Sequence, residues 1–148
     1  MRAPMSFQQV QLLLIDGDDD EANYIEKILQ KDQVNMPLTR VPDGKSALAI
    51  LCGNDGYARL PRPYIILAVL PPLSMSIFQF LHHLHADPEL RPSRVFVLAD
   101  AASELDRDRR ASPHIAGCIL KSNLRQSPKA FANLLRGYAE FVELLPSQ

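Results

Sequence analysis

The sequence predicts an α/β domain: a doubly wound, five-stranded parallel sheet in the order 2-1-3-4-5, with helices on both faces. Three observations carry that reading. Short apolar runs of strand length alternate with segments whose apolar residues recur at helical spacing, the pattern of a parallel sheet joined by crossover helices. One run, YIILAVL at residues 64–70, has no polar interruption, which suits a strand buried on both faces. A chain of 148 residues holds one core rather than two, and right-handed crossovers leave few arrangements of five strand–helix units.

The elements follow in order. Residues 10–15 read as a strand that ends at Asp16-Gly17-Asp18. From Asp19 onward Ala22, Ile25, Ile28 and Leu29 fall on one helical face, so a helix runs to about Lys31. Residues 36–41 form a second strand, Pro42-Asp43-Gly44 a turn, and Ser46, Ala47, Leu48, Ile50 and Leu51 a second helix closed by Gly53. After a Gly- and Pro-punctuated loop (residues 53–63) comes the strand at 64–70, stopped by Pro71-Pro72. A third helix spans about 76–85 with Ile77, Phe80, Leu81 and Leu84 inward, and residues 94–98 and 116–120 are the fourth and fifth strands. A short charged helix at 103–109 separates those two strands, and Pro128 opens a final helix to about Leu145.

Sixteen Lys and Arg against seventeen Asp and Glu give a net charge of −1, which argues against a broad basic field for nucleic acid or an anionic membrane. At 47% hydrophobic and 22% charged the chain has globular composition. The segment MRAPMSFQQ has no apolar leader, and no apolar stretch approaches the roughly 18 residues of a membrane span, so a cytoplasmic location is expected. Cys52 and Cys118 form neither a disulfide framework nor a CxxC clip; beside Leu51 and Ile119 they are expected to be reduced and structural.

In open α/β sheets function gathers beyond the carboxyl ends of the strands. Those ends are Asp16-Gly17-Asp18, Val69-Leu70, Ala99-Asp100 and Lys121-Ser122. At these positions the sequence resembles the receiver domain of two-component response regulators (CheY-like, with the flavodoxin-like fold), over roughly residues 9–145. LLLIDGDDDEANYIEKIL resembles its first strand and helix, VPDGKSALAIL its second helix, RPYIILAVL its third strand, and HADPELRPSRVFVLA and CILKS its fourth and fifth strand blocks. The ADPELR turn and the tail YAEFVELLP are similar to the small single-domain regulators that work with phytochrome-type histidine kinases.

The resemblance implies an aspartate phosphoacceptor ending the third strand, two acids after the first strand to hold Mg²⁺, a Thr or Ser after the fourth, and a Lys after the fifth. Here the acceptor position is Val69, the acid pair is Asp16 and Gly17, the hydroxyl position is Ala99, and only the lysine, Lys121, is kept. Cys118 stands where an aromatic is usual. Valine has no nucleophilic atom, alanine no hydroxyl, and Mg²⁺ prefers octahedral oxygen ligands that Asp16 alone supplies poorly. The resulting expectation is a degenerate receiver, not an enzyme and without a cofactor, whose Mg²⁺ binding is weak or absent.

The remaining polar residues have plain readings. Asp18, Asp19, Asp20 and Glu21 suit a helix N-terminus, where each carboxylate contributes about 0.3–1 kcal/mol. Ser74, Ser76 and Asp100 suit turns and caps. Lys121 with Asp16 is expected to form an ordinary ion pair, worth about 0–1 kcal/mol if exposed. His82 and His85 share a helix face but lack further ligands at zinc spacing, and His114 reads as a loop residue.

In receivers the fourth helix, fifth strand and fifth helix form the output face. There Glu104, Asp106, Arg107 and Arg110 are either a solvated charge run or complementary salt bridges in a symmetric dimer. Cys118 belongs to the same face, and Phe141, Leu144 and Leu145 are candidates to pack on a partner. The expected partners are a second copy and a histidine kinase or downstream signalling protein, with no nucleic acid and no membrane. Two other readings stay in play. One is a phosphorylatable regulator with its acceptor moved to Asp16–Asp20 or Asp100. The other is a flavodoxin-type nucleotide binder, against which the anionic DGDDDE stands in place of a Gly-rich phosphate loop.

Overall fold

Alternate side chains of the central strands feed two separate cores, and that division builds the layers. The computed structural model describes residues 10–53, 64–70, 77–90, 93–101 and 115–141. In chain order the elements are β1 (Gln11–Ile15), α1 (Asp19–Lys31), β2 (Leu38–Val41), α2 (Gly44–Cys52), β3 (Tyr64–Val69), α3 (Ile77–Ala86), β4 (Arg94–Ala99) and β5 (Ile115–Leu120). Two helices, here α4 (Lys121–Gln126) and α5 (Pro128–Phe141), follow β5. The five strands are parallel and ordered β2-β1-β3-β4-β5, as the sequence pattern predicts.

Leu12 and Leu14 of β1, Ile65, Leu67 and Val69 of β3, and Phe96 and Leu98 of β4 meet Ile25 and Leu29 of α1 and Phe131 and Leu135 of α5. The intervening residues, among them Leu13, Ile15, Ile66, Ala68, Val95 and Val97, meet Leu51 of α2 and Phe80, Leu81 and Leu84 of α3 on the other face. A strand buried on both faces needs no polar alternation, which is why residues 64–70 are apolar throughout.

Local chemistry sets the helix ends. Asp18 caps α1 by accepting from the N–H groups of Asp20 and Glu21, at 2.9 and 3.1 Å. Asp43 caps α2 through Ser46 N–H at 2.8 Å, so the Pro42-Asp43-Gly44 turn is also a helix start. Gly53 ends α2 in the left-handed region, φ 74°. The last turn of α1 closes through Gln33 N–H to Gln30 O and Val34 N–H to Leu29 O, with Gln33 at φ 57° where glycine is the usual residue.

Several boundaries differ from the sequence expectation. The second strand begins at Leu38 rather than Met36; the final helix is described to Phe141, and its expected continuation to about Leu145 lies outside the described residues. The helix α4 was not expected: six residues with Leu124 and Lys121 alone buried carry no readable periodicity. In the final helix Phe131 and Leu135 are buried and Leu134 is exposed. Tyr138 meets the edge of Phe96, ring centres 5.4 Å apart. Pairing of β4 with β5 slips by one residue beside Phe96, leaving Gly117 against its ring; a Cβ on Gly117 would lie 3.1 Å from it. Cys52 is exposed at the end of α2, not in apolar surroundings, because the helix turns its Leu51 side to the core. The expected charged helix at 103–109 and the loop at 54–63 lie outside the described residues, as does the side chain of Ile77.

Candidate functional site at the carboxyl end of the sheet

Asp16 stands one residue beyond β1, and continuing the β1–β3 register from Ile15↔Ala68 sets it beside Val69. It is 3% exposed. One carboxylate oxygen, Oδ1, accepts the N–H of Asp18 at 3.0 Å. Arg40 on β2 donates to the Asp16 carbonyl through Nε at 3.0 Å and Nη2 at 2.7 Å, and to Asp19 through Nη1 at 2.7 Å. The β1–α1 connection is thereby tied to the edge strand. Among the described residues Asp16 Oδ2 has no hydrogen-bond partner.

That orphaned oxygen has a physical consequence. Burial pushes the Asp16 carboxyl up from 3.8 to about 6; the Asp18 N–H opposes the rise, the nearby Glu21 carboxylate adds to it, and Lys121 opposes it. Two ionised carboxylates have no donor between them, so Asp16 and Glu21 can hydrogen-bond only when one holds a proton.

Lys121, the first residue of α4, is buried. Its ammonium donates to the carbonyl of Leu70 at 2.9 Å and pairs with Glu21 Oε2 at 3.4 Å. The sequence expectation of an ordinary ion pair with Asp16 is corrected in its partner, which is Glu21. The lysine reaches past Asp16 to α1, since Glu21 lies on the buried side of that helix. The sequence reading groups Glu21 with the acids of the helix N-terminus. The signal that separates it is its spacing: positions 21, 25 and 28 share a face, and Ile25 and Ile28 are core. Arg40 was also missed, although a lone arginine near the end of a strand beside β1 is well placed to reach the β1–α1 turn.

Val69 ends β3, opposite Leu98, in the cluster beneath α1 and α5. Ala99 ends β4, opposite Leu120, fully buried in the other cluster with Leu70 and Val97. The structure therefore brings Asp16, Glu21 and Lys121 together on the face that also holds Val69, and sets Ala99 on the far side of the sheet. Gly17 is exposed and adds no side chain.

Divalent-ion chemistry asks for about six oxygens around one point. Asp16 and Glu21 supply carboxylates, Gly17 and Val69 supply none, and the Lys121 ammonium already stands against Glu21. This donor set does not fit such an ion. His82, His83 and His85 are exposed on α3, and among the described residues no group of three His, Cys, Asp or Glu side chains could hold a metal. No described helix is long and apolar enough to cross a membrane.

Cys118 on β5 is half-buried against the core cluster that includes Val97. Asp100 is exposed just past β4. Glu104, Asp106, Arg107 and Arg110 lie outside the described residues, as does the side chain of Phe141, which closes α5.

A five-stranded sheet in this order, with acidic groups after β1 and a buried lysine after β5, has the form of a signalling receiver domain. No protein-family profile matches the chain. It is 25% identical over 134 residues to the response regulator Rcp1 of Synechocystis sp., covering 90% of this chain and 91% of that protein. Among solved structures it is similar to the phosphorylated cyanobacterial phytochrome response regulator RcpA, at 24% identity and TM-score 0.77, over 95% of this chain and 100% of that one. The Mn²⁺-bound form of Rcp1 matches at 22% identity and TM-score 0.69, over 95% of this chain and 99% of that one. The chain is homologous to Rcp1 over nearly its whole length, and its fold is that of CheY-like receiver structures.

Proposed function

We propose that this domain is a pseudo-receiver, a single receiver unit that signals through protein contacts without accepting a phosphoryl group. Val69 carries the reading: an isopropyl group, packed among Leu14, Leu67 and Leu98, ends the strand at which the family holds its acceptor carboxylate. Gly17 and Ala99 remove a metal ligand and a phosphoryl-sensing hydroxyl, so divalent-ion affinity is weak. The neighbouring acids are already engaged, Asp18 as a helix cap and Asp19 with Arg40, which leaves little room for a relocated acceptor. The domain then has no switch driven by phosphorylation, and its conformational balance is set by what binds it.

Incubation with acetyl phosphate or beryllofluoride and Mg²⁺ is expected to leave intact mass and amide shifts unchanged. A stoichiometric phosphoryl adduct of about 80 Da would overturn the proposal, and its location would identify a displaced acceptor such as Asp20 or Asp100.

The partners fitting this reading are a second copy of the chain, a histidine kinase or a downstream signalling protein. The homodimer is read from the sequence alone, either through the output-face residues Glu104, Asp106, Arg107, Arg110 and Cys118 or through the C-terminal helix with Phe141. Sedimentation is expected to show a dimer that Phe141→Asp converts to monomer, because a carboxylate buried at an interface without a partner costs several kcal/mol, roughly. A wild-type monomer at high concentration would remove the dimer from the proposal.

A further inference from the structure

Three points of the chain far apart in sequence meet at one ammonium group. Glu21 lies in the first turn of α1, Leu70 one residue past β3, and Lys121 one residue past the edge strand β5. Among the described residues β5 is hydrogen-bonded to β4 alone, so the Lys121 side chain spans the sheet over β4 to reach β3 and α1. The side chains of Lys121 and Glu21 are 9% and 16% exposed, and Asp16 is buried beside them with one oxygen that has no hydrogen-bond partner among the described residues. A buried ammonium is tolerated only when paired, and buried carboxylates need a cation or a proton near them. The lysine meets both needs from within the chain.

We propose that Lys121 is the resident cation of this rim: by bridging Glu21 and the Leu70 carbonyl it clasps the ends of β3, β5 and α1 together and keeps divalent ions out. The inference deepens the reading of a rim without phosphotransfer chemistry, since it names what holds that rim in a single arrangement. Removing the ammonium does two things at once. It frees the Leu70 end of β3, and it leaves Asp16 and Glu21 as an uncompensated acidic pair open to an external cation.

The test uses the ¹⁵N-labelled chain with Mn²⁺ as a line-broadening probe, together with amide exchange. In Lys121→Met, amides of Asp16, Gly17, Glu21 and Leu70 are expected to broaden at Mn²⁺ concentrations on the order of tenfold lower than in wild type, the change expected from losing one nearby positive charge. Exchange at Leu70 and Lys121 is expected to quicken about tenfold, while the remote amides of β2 stay as they were. Glu21→Gln, a milder change that keeps an acceptor for the lysine, is expected to quicken the same amides and is the reporter should Lys121→Met not fold. The proposal is overturned if wild type broadens at the same Mn²⁺ concentration as Lys121→Met, or if neither variant alters exchange at the rim. A phosphoryl adduct on wild type would sink the pseudo-receiver reading while leaving the clasp standing; unchanged exchange with no adduct would do the reverse.

Discussion

Asp16→Asn is expected to stabilise the fold at about pH 8 by about 1–3 kcal/mol, against the usual direction for a substitution at a buried polar residue. In wild type the Asp16 carboxyl holds its proton to about 6 in the folded state, against 3.8 for an ordinary aspartate. Between those values the native state binds more protons than the unfolded one, so stability falls as pH rises through the window, and the loss is complete above it. Burial is the main cause, and the neighbouring Glu21 adds to it. An asparagine keeps an oxygen for the Asp18 N–H, carries no charge to desolvate, and sets an N–H donor where Oδ2 has no partner among the described residues. The Arg40 contacts go to the Asp16 backbone carbonyl and survive the change. Urea midpoints for both proteins from about pH 4.5 to pH 8 check this: the variant's advantage should shrink steadily as pH falls below about 6. A wild type that is the more stable of the two at the alkaline end would refute the account of the buried pair.

Much of this architecture was legible in the chain because its signals are local. The unbroken run 64–70 fixes the central strand, the Ala22–Ile25–Leu29 stripe fixes the face of α1, and Asp18, Asp43 and Gly53 punctuate the helices. What sequence could not supply was pairing at a distance. The sequence singles out Lys121 and pairs it with Asp16, since both stand at carboxyl ends of strands, although β3 and β4 lie between β1 and β5. The contact with Glu21 depends on how α1 lies over β3, and periodicity gives the face of a helix without giving its tilt or rotation against the sheet. Arg40 is missed for a similar reason: its guanidinium holds the Asp16 carbonyl just past β1 and the Asp19 carboxylate, and a backbone acceptor leaves no mark in a sequence. The short α4 went unread because one buried leucine has no period.

Val69→Asp is expected to destabilise the domain by about 3 kcal/mol near pH 7.5, through loss of a buried valine and the cost of an additional carboxylate in a nearly closed position. Val69 is 6% exposed and packed among Leu14, Leu67, Phe96 and Leu98, and the register sets it beside Asp16. Asp16 and Glu21 already share the Lys121 ammonium, so a further negative charge there adds to their repulsion. Two consequences separate this account from simple damage to the core. Acidification to about pH 5 should recover part of the loss, because protonation removes the repulsion, whereas the cavity and polarity cost of Val69→Asn should hardly respond to pH. Adding Mg²⁺ should stabilise Val69→Asp by about 1 kcal/mol once the ion exceeds its dissociation constant about tenfold, with wild type unmoved. The variant would regain a carboxylate beside Asp16 and with it a reason to bind the ion that the Lys121 clasp otherwise replaces. Should wild type and Val69→Asp respond alike to Mg²⁺, the residue ending β3 is not what denies this rim its ion, and the ammonium of Lys121 must account for the exclusion alone.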